Sequence, residues 1–555
     1  VATDDAATRH FLRHLERRHK AADRAAALRA HSGSPWSEPG WFGSGYDAGG
    51  MGRLTGDWNP GTIGPNRLHQ LNGRTIRERV RDLERNNPKA VSAINAFLRN
   101  VIATGITPKP QIEDPALRSE WEDEWEHWAG VVPGSDFHCD LSQRQTFYGL
   151  QAQILREMIV AGGVLVVFNS ERTTSASGGR RHPLAIELVP EERIAEENDS
   201  WTNGPWVAPR TGNPIVRGVE LDRRTGRHLA YWVKPSQVND VGGEDPVPVR
   251  IDGSRCRYLS LVTLTGQVRG ISLLAPIVLS TQRLGGYLDS ELIAAEMKAQ
   301  WAYMVKSSDD APDLVSTLSD DASVAVVDSD GNRLERMSPG QVYYGRPGDE
   351  IQAVGPNVPQ GDSVPWISLI EQSIAQGLDL SAIELSRDYS RVNFSSARAA
   401  MNRDRRTFKA LQELLVDTFL NRVWYEWVRG AVLVGRPGFP APNAFLDDPD
   451  QYLRVRWRKP GWDTVNPVDD AQADRIMLQD GTITREEICA KRGVDWEELG
   501  RQWELENSLF GMAGDPAKNA AIAGQDDDDN PQDDDDNPQD DQPPVEPLDT
   551  PGEDT

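Results

Sequence analysis

The order of the secondary-structure signals is the strongest constraint on this 555-residue chain. Stretches with helical apolar spacing flank a centre of short, almost wholly apolar runs, which predicts a helix-rich α+β fold. The string RTIRERVRDLERNNPKAVSAINAFLRNVIATG is helical in period but interrupted at Asn86, Asn87 and Pro88. Pro88 fits the first position of a helix capped by an asparagine, so two helices are expected, with Gly105 ending the second. A further helix is expected over 136–160, broken by Gly162 and Gly163 before VLVVF, a run typical of a buried strand. Strand-like pieces come next at LAIELVP, GVELDRRTGRHLAYWV and RYLSLVTL, with Arg224-Thr225-Gly226-Arg227 as a hairpin turn. A long helical block over 272–306 would span about 50 Å if unbroken, with Gly285 and Gly286 as points where it can kink. A Gly/Pro/Asp-rich region with short strands such as SVAVVDSDG leads into a mostly helical segment over 364–430. Short helices are expected over 471–507, with Thr484 as N-cap and Glu487 completing a capping box.

Charge is unevenly placed. The formal net charge is −25, yet residues 525–555 hold fourteen acidic residues and no Lys or Arg. There DDDDNPQ repeats back to back from Asp526 and from Asp533. Such a segment has too little to bury to offset its ordering entropy, so a disordered acidic tail is expected, either as a solubiliser or as a contact for a basic partner. At the other end, HFLRHLERRHKAADRAAALRAH reads as a basic helix, either solvated or in contact with DNA or another protein. A Gly/Trp/Pro-rich connector over 32–66 is expected to be irregular. The N-terminus has charges where a signal peptide needs an apolar stretch, so no export signal is expected, and Val1 standing in place of Met fits a start inside a reading frame or after trimming. No apolar run approaches the roughly 18 residues of a membrane span, so a soluble chain is expected. Cys139, Cys256 and Cys489 are too few and scattered for a disulfide framework and read as buried or idle thiols in a reducing cytoplasm.

Motifs for chemistry are missing from the sequence. There is no GxxxxGK phosphate loop, no GxSxG and no HExxH, and the Gly-rich stretch over 43–52 lacks both the Lys and a preceding strand. His138-Cys139-Asp140 has no companion pair at metal-ligand spacing and reads as a turn at a helix start. Glu122, Asp123 and Glu124, interleaved with Trp121, Trp125 and Trp128, read as a half-buried amphipathic face rather than an acid/base pair. Seventeen tryptophans are consistent with large packed interfaces. No catalytic, cofactor or metal site is expected.

A series of stretches, in order, resembles the lambda-type portal proteins of tailed bacteriophages. The opening one is RVRDLERNNPKAVSAINAFLRNVIATGITPKP, with Arg85, Asn86, Asn87 and Pro88 leading and Gly105 near its close. WEDEWEHWAG through FHCDLSQRQTFYGLQAQILREMIVAGGVLVVF resembles the family's helix, Gly162-Gly163 and strand, and GVELDRRTGRHLAYWV resembles a later stretch of the same family. Gln267, Arg269, Gly270 and Ser272, with LLAP and LGGYLDSELIAA after them, resemble a QxRGxS element ahead of a helix. Phe394, Ser395, Ser396 and Arg398 resemble a (Y/F)SSAR motif, with Phe394 where Tyr is frequent, and Trp424 and Trp427 fall in the helix after it.

The resemblance implies a structural, non-enzymatic ring, commonly of twelve subunits, with wing, stem, clip and crown around a DNA channel at one capsid vertex. It implies assembly in the host cytoplasm and, as partners, further copies of itself, the terminase large subunit, major capsid and scaffold proteins, a head-tail connector, and duplex DNA sliding through without sequence specificity. No cofactor and no membrane enter. On that pattern the chain divides into an N-terminal helix and arm (1–66), a wing-like α+β region (67–260), stem helix and clip (261–363), a helical wing or channel region (364–440), crown-like helices (441–515) and the acidic tail (516–555). An acidic chain suits a conduit, because each Lys or Arg on a phosphate adds affinity and friction. Gly270 is expected to make a tight backbone turn into the stem helix, and Arg269 an intersubunit ion pair or a cap contact. Ser395 and Ser396 are expected to cap a helix near Ala397, and Arg398 to pair either across a subunit boundary or within its own chain. The alternatives are another structural head protein or a metal-dependent capsid-associated hydrolase.

Overall fold

The protein was described from a computed structural model covering residues 61–171, 180–197, 208, 210–235, 247–300, 303–306, 342–345, 363–390, 392–462, 467–494 and 496–510. The basic N-terminal helix, the Gly-rich stretch over 43–52, the strand expected at SVAVVDSDG and the acidic tail lie outside these residues.

Two helices open the fold, α1 (Pro65–Asn86) and α2 (Pro88–Val101), and the break between them is chemical. Asn87 caps α2, its side chain accepting from Lys89 N at 3.0 Å and Ala90 N at 3.2 Å, and Pro88 takes the first position. The second helix ends at Val101 with Ile102 as its cap, so Gly105 does not end it. Gly105 instead turns the chain at φ +114° toward β1 (Thr107–Pro110), where a Cβ would stand 2.3 Å from Tyr148 Cδ1.

α3 (Pro115–Ala129) carries the three tryptophans, and α4 (Phe147–Val160) comes next. The helix expected over 136–160 therefore begins well after its sequence period indicated, at Phe147. The Asp140 carboxylate accepts from Ser142 N and Arg144 N, and Asp140 bridges to Ile186, so local turn bonds hold this stretch out of a helix until Thr146 caps α4. His138-Cys139-Asp140 is thus a turn, but not one at a helix start, since α4 begins only at Phe147. Burial pushes the Cys139 thiol up to about 12, in keeping with an inert thiol.

Gly162, at φ +94°, ends the helical block and β2 (Gly163–Ser170) begins. This strand is the centre of a three-stranded antiparallel sheet, with β3 (Leu184–Pro190) on one side and β8 (Cys256–Ser260) on the other. β8 is shorter than the run RYLSLVTL, which leaves strand pairing after Ser260. A four-stranded antiparallel meander lies between them in sequence: β4 (Ile215–Val216), β5 (Val219–Leu221), β6 (His228–Val233) and β7 (Val249–Asp252). The β5–β6 turn is the expected one, held by the Asp222 carboxylate on Arg224 N and Thr225 N. VLVVF is apolar throughout because both of its faces are covered. Val164, Val166 and Phe168 enter the large core, while Leu165 and Val167 enter a smaller one with Val189, Val219 and Tyr231 of the neighbouring strands.

α5 (Val278–Gln300) is preceded by a single 3-10 turn. It is shorter than the block expected over 272–306, about 35 Å at about 1.5 Å per residue, because Tyr303–Lys306 is a strand, β9, paired in parallel with β10 (Val342–Gly345). Gly285 and Gly286 lie inside it without ending it. Then come α6 (Ser363–Gly377), α7 (Ala382–Ser386), α8 (Phe394–Leu415) and, after a π turn at Val416–Leu420, α9 (Asn421–Val434). Short helices α10 (Pro442–Asp447) and α11 (Pro449–Leu453) lead to β11 (Val455–Arg458), which pairs antiparallel with β1. The described chain closes with α12 (Pro467–Gln479), α13 (Arg485–Lys491) and α14 (Trp496–Phe510), and Thr484 and Glu487 form the expected capping box.

The tryptophan face of α3 is not half-buried. Trp121, Trp125 and Trp128 are buried completely, against Trp424 and Trp427 of α9, Phe147 and Phe439, with Phe419 stacked on Phe147. Trp121 Nε1 donates to Gly438 O at 3.0 Å and Trp128 Nε1 to Leu184 O at 2.8 Å. Burying one such indole is worth roughly 4–6 kcal/mol in gross transfer free energy. These aromatic side chains belong to the intrachain core, so at least these tryptophans are not interface anchors.

Candidate functional site

The QxRGxS residues converge with the Gly162-Gly163 break on one buried junction between the helices and the two sheets. Arg269 has no exposed side-chain surface. Its Nε donates to Glu191 Oε1 at 2.6 Å, Nη2 to Glu191 O at 2.8 Å and Nη1 to Arg217 O at 3.2 Å, with Glu196 at 3.5 Å. Burial alone would lower the guanidinium pKa, yet Glu191 and Glu196 carry it above the ordinary arginine value. Arg269 is therefore neither a cap nor an intersubunit pair. It is a buried intrachain clamp that fixes Glu191, directly after β3, to the segment that leads into α5.

Gly270 is required for a different reason from the expected turn into the helix, which starts only at Val278. A Cβ on Gly270 would stand 1.9 Å from Gly162 O, and one on Gly162 would stand 2.7 Å from Ile271 C. The two chain segments pass with backbone against backbone, where only glycine fits. A Cβ on Gly163 would meet the Tyr258 hydroxyl at 2.4 Å. That hydroxyl donates to Glu191 Oε1 at 3.2 Å and accepts from Gly270 N at 2.9 Å. Ser272 Oγ donates to Ile159 O at 2.8 Å, tying the junction to the end of α4. The Gln267 amide closes its own loop, accepting from Thr263 N and Leu264 N and donating to Arg269 O.

The opening motif reaches the same place through α1. Arg77 binds Glu196 at 2.6 Å, and Arg81 binds Glu157 at 2.5 Å and Glu192 at 3.2 Å. Arg217 binds Glu196 at 2.7 Å. Asn66 holds the loop from below, accepting from Val268 N and donating to Gly266 O. Burial raises the Glu157 pKa although Arg81 opposes it. Burial, Arg269 and Arg217 push His69 down to about 3. Glu196, despite its burial, is pulled down to about 2 by Arg269, Arg77 and Arg217.

Both shifts make the junction acid-labile. An imidazole that takes its proton near 6.5 when unfolded but near 3 when folded contributes stability that declines as pH falls from 6.5 toward 3. The Glu196 contribution is present above its ordinary 4.5 and is lost as pH falls toward 2. The melting temperature is expected to fall steadily below pH 6.5, and His69→Gln to lessen the part of that slope above pH 4.5, the buried His182, also held down to about 3, keeping the rest, as read by scanning fluorimetry across pH.

The other motif residues stay apart. Arg85 and Asn86 are exposed at the end of α1, Asn86 donating to Asp82 at 2.7 Å. The Asn87 side chain reaches Thr281 O of α5 at 3.4 Å. In the (Y/F)SSAR stretch the cap is Asn393, whose side chain accepts from Ser396 N at 2.8 Å, so α8 starts at Phe394 and neither serine caps it. Phe394, Ser395 and Ser396 are exposed, and Arg398 pairs within its own chain with Asp470 at 2.7 Å. Sequence reasoning missed Glu191, Glu196, Arg217 and Tyr258, whose partners lie tens of residues away with no local pattern to mark them. Among the described residues no group of His, Cys, Asp and Glu is placed to hold a metal ion.

Comparison with known proteins gives this junction its context. Residues 51–412 match the family described as "Phage portal protein, lambda family". The chain belongs to the lambda family of phage portal proteins. Its role in the phage head is that of a portal protein, structural and not catalytic. It is 23% identical over 453 residues to a probable portal protein of Halomonas phage phiHAP-1, covering 80% of this chain and 82% of the relative. It is also 23% identical over 505 residues to portal protein B of Escherichia phage lambda, covering 83% and 88%. A chain in the neck of a native GTA particle aligns at a TM-score of 0.36 and 11% identity over 75% of this portal protein and 93% of that chain. The family-motif residues from Arg85 to Arg398 fall within 51–412, as does the whole Arg269 junction.

Proposed function

We propose that this portal protein closes into a ring of about twelve copies at one vertex of the capsid. The terminase large subunit drives duplex DNA through the ring, and a head-tail connector joins it later. Copies assemble in the host cytoplasm with major capsid and scaffold proteins. In this reading residues 67–260 form a wing, 261–363 the stem and clip, 364–440 a helical wing or channel region and 441–515 a crown, flanked by the arm at 1–66 and the tail at 516–555. α5 is the stem element that lines or buttresses the channel, with Arg269 and Gly270 anchoring its base to the wing.

The observation that carries the ring is the set of exposed apolar side chains on two helices packed on one another. α5 exposes Leu279, Leu288, Leu292 and Ile293, and α6 exposes Trp366 and Leu369. Leu292 is 60% exposed, and exposed apolar side chains in such number favour burial against another surface. Charge at these positions should block assembly without unfolding the subunit. Leu292→Glu with Ile293→Glu is expected to move the protein from ring to monomer in size exclusion while its circular dichroism stays unchanged. A ring of unaltered mass would remove α5 from the subunit interface.

A further inference from the structure

We propose that the groove between α8 and the C-terminal helices is a docking site for the chain's own acidic tail, the DDDDNPQ repeats over 526–539. The groove has a volume of about 870 Å³ and is walled by α8, the segment from β11 to Trp462, and helices α12 to α14. Its lining holds eight Lys and Arg against five Asp and Glu, an excess of cations within a chain whose net charge is −25. Lys409 is exposed and has no acidic partner among the described residues. Arg405 lies over the Trp462 ring at 5.8 Å. Other cations of the lining have acidic partners near the surface: Lys491 and Arg492 share Asp474 at 3.4 and 3.6 Å, Lys459 bonds to Glu413 and Arg456 to Glu486. Exposed pairs of this kind contribute little and exchange partners readily.

Position favours this occupant over a free polyanion. α14 starts in the groove wall at Trp496 and runs 15 residues to Phe510, about 22 Å. Residues 511–525 then span up to about 50 Å of chain, enough to return the first repeat to the groove. A covalently attached ligand acts at an effective concentration that a free one does not reach. Composition fits too. Pro531 and Pro538 interrupt the aspartates, and Trp496 offers a half-exposed indole face beside the cations for such a ring. Two identical repeats give two registers in which the same groove can be filled.

The test is zero-length carbodiimide cross-linking of the full-length protein, with cross-links mapped by mass spectrometry at low salt and at roughly 0.5 M salt. Cross-links are expected from aspartates over 526–541 to Lys409 and Lys459, falling at least fivefold in high salt. The double variant Arg405→Glu with Lys409→Glu should lower the Lys459 cross-link by a similar factor. Tail cross-links spread evenly onto lysines elsewhere, such as Lys89, or a yield on Lys459 that the variant leaves unchanged, would overturn the proposal. If the variant abolishes retention of a short DNA duplex while leaving the cross-links intact, the groove is a nucleic-acid surface and the tail is not its ligand.

Discussion

Arg269→Ala is expected to destabilise the protein by about 3–5 kcal/mol, the cost of stranding a buried carboxylate without its cation. Both side chains of the Arg269–Glu191 pair are wholly buried, so water cannot replace what is lost. The variant also leaves Glu191 O and Arg217 O without the guanidinium donor that now serves them. Urea unfolding monitored by tryptophan fluorescence should show a midpoint well below that of the wild type. The double variant Arg269→Met with Glu191→Gln should recover more than half of the loss, because a neutral amide no longer needs a cation while still accepting from Tyr258. An Arg269→Ala midpoint equal to the wild type would mean that the clamp does not hold the junction together.

Gly270→Ala is expected to be as damaging through shape alone. Overpacking costs about 1–3 kcal/mol where side chains can yield, but here the obstacle is the Gly162 backbone, so one of two packed segments must move. Soluble yield should collapse, and what remains should melt several degrees lower. Gly286→Ala is the matched control. Nothing lies within 4 Å of its Cβ position, and alanine in the interior of α5 should stabilise by about 0.5–1 kcal/mol. Equal behaviour of the two variants in thermal unfolding would show that Gly270 serves no close approach.

Much of the fold was legible because its signals are local. The Asn87 cap with Pro88, the Asp222 hairpin turn and the Thr484-Glu487 box each lie within four residues, and the structure shows all three. The run VLVVF was legible as a buried strand because burial on both faces removes polar alternation. The start of α4 was not, since a single Asp140 side chain outcompetes the helix over its first turns. The (Y/F)SSAR cap was misplaced because Asn393, Ser395 and Ser396 are all competent caps and only the backbone path selects among them. The site was half legible: Gly162, Gly163, Arg269, Gly270 and Ser272 were singled out, but their roles depend on Glu191, Tyr258 and Ile159, 12 to 113 residues away from their partners.

The mass of the purified full-length protein, from light scattering after size exclusion with negative-stain images of the same fraction, tests the portal ring most directly. A ring of about twelve chains around a central opening is the predicted result. A monomer, or a closed assembly without an opening, at every concentration and salt tested would contradict it.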